Sequence, residues 1–201
     1  FFPSFVVSLS LRVRLDLLAG SRGLWRLEYL FVVARGSDSE ILDWMEEVED
    51  DALDRDARIK LSIGTEEQGK ADGMFNFPRG LVFDHHRGLL LVVDFYNHRV
   101  QVFSYDDDGG SFMSKLGGER GNQPGQFNYP DGIAIDHDHD RILITDSFNH
   151  RVQSWSLSEQ SFLSCIGQRG SGDLEFEYPQ GIAVDKHHHR IIIVDTNNHR
   201  L

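Results

Sequence analysis

The side chains best able to do chemistry in this 201-residue chain are histidines and aspartates, and they recur in register. His85-His86, His137-Asp138-His139-Asp140 and His187-His188-His189 each follow closely on Asp84, Asp136 or Asp185. Imidazole with carboxylate is a donor set for zinc and related ions, and carboxylates gathered on one point can serve a metal-dependent reaction. The recurrence points away from that chemistry. A catalytic site breaks a repeat with residues found once, whereas these stand in every copy, and ligands in successive exposed turns diverge. No metal, no cofactor and no catalytic residue is therefore expected. There is no Ser-His-Asp spacing, and Gly167 to Gly172 opens no helix as a phosphate-cradling loop would. Ten histidines do make the charge adjustable near pH 6.

Composition narrows the classes further. A formal charge of -12 argues against a general phosphate-binding surface. Cys165 is the sole cysteine, which excludes a disulfide framework or a cysteine-based zinc module within the chain and makes a reducing, cytoplasmic setting the expectation. Phe1 to Leu18 is apolar, but Arg12, Arg14 and Asp16 break it well short of a ~20-residue membrane span, so no membrane partner is expected.

The elements that must carry these residues repeat at long range. Phe75-Asn76-Phe77-Pro78-Arg79-Gly80 leads into Leu81-Val82-Phe83-Asp84, then Leu90-Leu91-Val92-Val93-Asp94, then Asn97-His98-Arg99-Val100. The same order runs from Phe127 through Pro130, Gly132, Asp136 and Asp146 to Asn149-His150-Arg151-Val152, and from Phe176 through Pro179, Gly181, Asp185 and Asp195 to Asn198-His199-Arg200-Leu201. Gly80, Gly132 and Gly181 are 52 and 49 residues apart, a period of propeller blades rather than helical repeats. Within one unit, short β-branched runs separated by polar turns predict four antiparallel strands: 132–136, 141–146, 151–156 and 161–166.

The Pro-x-Gly opening and the Asp-x-x-Asn-His-Arg close resemble the NHL-repeat family, and the match covers about 60–201. The resemblance implies an all-β fold, a partial β-propeller of four-stranded antiparallel blades whose parent is six-bladed, with repeats at about 75–117, 127–167 and 176–201. The third stops in what reads as its third strand. Further blades, from residues beyond this fragment or from another chain, are needed to close the ring. A short α/β segment is expected to precede it. Residues 1–36 are strand-like, with apolar residues on odd positions from Phe5 to Leu17, and 37–59 read as an acidic helix or linker opened by Ser37 and Glu40 in a capping-box pattern.

The motif residues are expected to be structural. Asp94, Asp146 and Asp195 stand at a strand end where a carboxylate can accept from turn amides, and Asn97, Asn149 and Asn198 are expected to take a positive φ. Arg99, Arg151 and Arg200 offer a five-donor fork for a carboxylate or carbonyls between blades. His98, His150 and His199 complete the motif, and the three glycines permit a bend or close packing at the start of the innermost strand.

Function then falls to a surface. Strand alternation puts the aromatic loops on one face and the His-rich turns on the other. The candidate binding residues are Phe95, Tyr96, Arg120, Tyr129, Phe148, Arg169 and Tyr178, with Arg79 beside them, a composition that interfaces favour. The competing reading is that Tyr129, Tyr178 and Phe77 pack between blades. A non-catalytic scaffold with a protein partner is the leading expectation, since acidic residues outnumber basic ones. The resemblance leaves two alternatives: a single-stranded-RNA-binding propeller of a post-transcriptional regulator or of a tripartite-motif ubiquitin ligase whose RING lies outside this chain, and a metal-dependent propeller enzyme of lyase or lactonase type.

Overall fold

A computed structural model describes residues 11–14, 26–29, 63–65, 67–106 and 109–201. Strand β1 (Leu11–Arg14) lies within the odd-position alternation and pairs antiparallel with β2 (Arg26–Tyr29). The helix expected over 37–59 lies outside the described residues.

The first blade is β3 (Pro78–Asp84), β4 (Leu89–Asp94), β5 (Arg99–Asp106) and β6 (Gly109–Gly117), hydrogen-bonded in chain order. The second repeats it as β7 (Pro130–Asp136), β8 (Arg141–Asp146), β9 (Arg151–Ser156) and β10 (Phe162–Ile166). A short parallel pair, β11 (Gln168–Arg169) with β12 (Glu175–Phe176), leads into the third blade, β13 (Pro179–Asp185) and β14 (Arg190–Asp195). A lone bridge between Asp195 and Arg200 follows β14. Every strand pair within a blade is antiparallel. No helix among the described residues is long and apolar enough to cross a membrane.

Alternation explains why blades stack. Leu89, Leu91 and Val93 on β4 join Leu116, Phe127, Ile133, Ile135, Trp155 and Leu157 in one buried cluster between the first two blades. Leu90 and Val92, pointing the opposite way, join Phe75 and Phe103 instead. A strand buried on both faces reads as a continuous apolar run, which is how Leu89 to Val93 and Ile142 to Ile144 appear. Each fully buried aliphatic side chain adds about 1.5–3 kcal/mol, so these seams fix the blades against one another. The innermost strands meet at the Pro-x-Gly bulges, where the register shifts in all three blades. A Cβ on Gly80 would sit 2.6 Å from the Asp131 carbonyl oxygen, and one on Gly132 would run into that of Gln180. The motif glycines thus allow backbone contact between adjacent blades.

The candidate binding face and its supports

Each Asp-x-x-Asn-His-Arg segment builds a buried hub. In the second blade Asp146 Oδ1 accepts from the Asn128 amide at 2.7 Å. Its Oδ2 accepts from Asn149 Nδ2 (2.8 Å), Arg151 Nε (2.8 Å) and Gln153 Nε2 (2.9 Å). Arg151 then donates to the carbonyls of Asn122, Gln123 and Gln126, and Asn149 to that of Gly121. The loop that enters the blade is therefore pinned to the turn between its second and third strands. Asp94 with Asn97, Arg99 and Gln101 repeats the hub in the first blade, and Asp195 with Asn198 and Arg200 in the third. One expectation is corrected. Positive φ falls on His98 (53°), His150 (54°) and His199 (55°), not on the asparagines, which sit inside the 3-10 turns Phe95–Asn97, Ser147–Asn149 and Thr196–Asn198. The asparagine is occupied by two hydrogen bonds, so the next residue makes the reversal.

These turns and loops carry a continuous ribbon of rings. Phe77 lies 5.3 Å from Tyr96, Tyr96 5.8 Å from Tyr129, Tyr129 4.6 Å from Phe148, and Phe148 5.1 Å from Tyr178. Tyr96 and Phe148 are 49% and 43% exposed, and Phe77 is also exposed. Phe95 is buried at 8%, held by Phe77, Tyr129 and the Arg79 guanidinium 4.1 Å from its ring centre. The expectation that Phe95 is a contact residue is corrected: it is the floor beneath Tyr96. Tyr129 and Tyr178 are half-buried, packing between blades while keeping an edge in the ribbon. Arg120 stacks on Tyr129 at 5.1 Å and donates to Asn128, and no carboxylate forms an ion pair with it among the described residues. Arg169 is exposed and paired with Glu177 at 3.0 Å.

Arg79 and Asp131 form an ion pair between the first two innermost strands. Burial holds the Asp131 carboxyl above its ordinary range although Arg79 pulls it down. The chain between blades also brings two features that residue type did not announce. Tyr129 (φ 54°) and Tyr178 (φ 53°) are left-handed, and their amides donate to the Nδ1 atoms of His98 (3.1 Å) and His150 (3.2 Å) in the preceding blade. The only sequence signal was positional, an aromatic residue before proline in every repeat.

The opposite face pairs Asp84, Asp136 and Asp185 with arginines and with three of the histidines. Asp84 accepts from Arg87 (3.0 Å) and contacts His137 Nε2 (3.1 Å), and Arg87 reaches on to Asp140. Asp136 holds Arg141 and His139, and Asp185 holds Arg190 and His188. Burial pushes the Asp84 carboxyl up, but hydrogen bonds from Arg87, His137 and the His86 amide outweigh it and leave it below the usual range. Among the described residues no three or more His, Cys, Asp or Glu side chains gather as a metal would require.

Four-stranded antiparallel sheets stacked face to face and meeting at their innermost strands define a β-propeller. A family model described as a 6-bladed beta-propeller matches residues 81–166, and an NHL repeat model matches residues 176–201. The repeats of this chain are thus similar to those of NHL-repeat β-propellers. NHL repeat-containing protein 2 of Gallus gallus is 26% identical over 119 residues, 56% of this chain and 16% of that protein. Protein brain tumor of Drosophila melanogaster is 31% identical over 91 residues, 45% of this chain and 8% of that protein. The chain thus spans less than a fifth of either relative. An auxiliary nutrient binding protein from Bacteroides thetaiotaomicron is similar with a TM-score of 0.49 at 16% identity, over 60% of this chain and 35% of that one.

Proposed function

We propose that this chain is a non-catalytic interaction module that docks a protein partner on its aromatic ribbon. The observation that carries the reading is the run from Phe77 to Tyr178, which crosses three blades with Tyr96 and Phe148 half out in solvent. Aromatic anchors with arginine are the residues that dominate interface energies, and they lose little entropy on binding when already ordered. Here the order comes from the buried hubs beneath the turns. Arg120, with its guanidinium unclaimed by any carboxylate among the described residues, offers an acidic group on the partner a fork to pair with.

Single-stranded RNA is the second reading, favoured by the same stacking of Arg120 on Tyr129. The formal charge of -12 weighs against it. The experiment is capture with cross-linking from cell lysate, with and without RNase, comparing the intact chain with the double variant Tyr96→Ala, Phe148→Ala. A protein partner that survives RNase and is lost in the variant supports docking on the ribbon. RNA recovered at those rings would replace it with the RNA reading, and a partner indifferent to both substitutions would move docking elsewhere.

A further inference from the structure

Two seams of the propeller are closed by the same unusual bond. A backbone amide that donates to histidine Nδ1 needs a lone pair there, so at neutral pH His98 and His150 carry their proton on Nε2. Each bond falls on a tyrosine in the left-handed region, which is sterically disfavoured for a non-glycine residue. Each imidazole also lies edge-on to the tyrosine it latches, at 4.6 Å in both seams. The histidine of one blade therefore sets the backbone and the ring of the next, and those rings are the middle and the end of the ribbon.

We propose that His98 and His150 are positioning residues of the aromatic ribbon, and that mild acid, by placing a proton on Nδ1, unlatches Tyr129 and Tyr178 and weakens the docking surface. The consequence for a partner rests on the ribbon being where the partner docks. A protonated Nδ1 would point a donor at a donor. The surrounding charges do not relieve it. His98 faces Arg120 and Lys70 on the loops of its own blade and the next, and Asp94 and Asp146, which are already engaged by Arg99 and Arg151. His150 faces Arg169, with Glu177 paired to that arginine and Asp195 to Arg200, and the Phe176 backbone hydrogen-bonds it. Burial lowers both imidazoles below the usual histidine value, and Arg120 and Lys70, or Arg169, lower them further against those carboxylates and, at His150, against the Phe176 backbone hydrogen bond. The latch thus holds at neutral pH and opens on the acid side of an ordinary histidine.

The test is NMR on the intact chain between about pH 7.5 and 5, reading the imidazole tautomers and amide exchange at Tyr129 and Tyr178, corrected for intrinsic rates. Loss of one hydrogen bond corresponds to about a fivefold fall in protection, in step with protonation of His98 and His150. Asparagine tolerates left-handed φ and offers Oδ1 where histidine offers Nδ1, so His98→Asn and His150→Asn should keep protection and make it flat with pH. His98→Ala and His150→Ala should lose it at every pH. An Nδ1-protonated tautomer at neutral pH, or tyrosine protection that ignores histidine protonation, would overturn the proposal. The wild-type titration decides even if a variant does not fold. Because this readout needs no partner, a failure of the latch is distinct from a failure of the ribbon as a docking site.

Discussion

Replacing Asp146 with alanine removes the acceptor of four hydrogen bonds at a fully buried position. The three neutral donors lose about 1 kcal/mol each and the charged Arg151 bond about 1.5–3. Arg151, Asn149 and Gln153 each keep a carbonyl partner and water can enter, so the simple total is discounted to about 3–5 kcal/mol, the cost of breaking a buried ion pair. For a domain of this size that lowers the melting temperature by roughly 10 °C. The three hubs grade the argument. The arginine side chain is 2% exposed at Arg99, 11% at Arg151 and 38% at Arg200. Asp94→Ala should therefore cost at least as much as Asp146→Ala, and Asp195→Ala about 2 kcal/mol, since solvent screens its ion pair and leaves the bonds from the Glu177 amide and Asn198 as the main loss. Asp146→Asn, which keeps one acceptor oxygen, should fall between. Urea midpoints at constant m value measure the series. An Asp195→Ala loss equal to that of Asp146→Ala, or an Asp146→Ala loss under about 1 kcal/mol, would refute the view that these hubs hold the loops.

Tyr96→Ala and Phe148→Ala, both at exposed rings, should each weaken partner binding about 30-fold, the scale of an interface hot spot, while changing the unfolding free energy by about 0.5 kcal/mol or less; equal losses of binding and stability would show that the rings are packing residues. Gly132→Ala drives a Cβ into the Gln180 carbonyl and should destabilise by about 1–3 kcal/mol, more than Gly73→Ala, where a Cβ meets nothing and only the positive φ opposes it; equal midpoints for the two would reject backbone contact at the innermost strands. Asp84 has a folded value below its ordinary 3.8, so its contribution is present above pH 3.8 and is lost as pH falls through the folded value. Asp84→Asn should flatten acid unfolding below about pH 4 and leave its shape above that unchanged, and an unaltered acid limb in the variant would remove Asp84 from the account.

The strands were legible because two independent signals coincide in them. Arg141 to Asp146 is both an apolar run closed by an aspartate and a copy of Leu89 to Asp94, and the observed ends agree with that reading. The hub was legible in its parts, since Asp and Arg have few buried uses besides each other. Its details were not. The left-handed residue is the histidine because the asparagine side chain is consumed by Asp146 and the Gly121 carbonyl, a partner brought from 28 residues away. Phe95 and Tyr96 look equivalent as neighbours in the chain, yet Phe95 is capped by Arg79, brought from the innermost strand of its own blade, while Tyr96 is half exposed. Gly117 and Gly167, left-handed at 75° and 106° where the outermost strand turns toward the next blade, likewise answer to Phe127 and Phe176 in that blade.

Some of these features bear on function. The left-handed tyrosines and Gly117 and Gly167 lie at a seam, where one blade supplies the backbone and the next supplies the constraint. The ribbon is a seam property too: Tyr129 enters it from the second blade and touches Phe95 and Tyr96 of the first, and Tyr178 enters from the third and touches Phe148 of the second. No single blade presents the run of rings. Separating the two tasks allows the repeat to keep Asp, Asn, His and Arg fixed while the residue after proline varies as Arg79, Asp131 and Gln180 and the turn varies as Phe95-Tyr96, Ser147-Phe148 and Thr196-Asn197. The hubs tie each turn to the loop that enters its blade, and the exposed positions the turns carry are free to differ, which is what recognition of one partner along several blades requires.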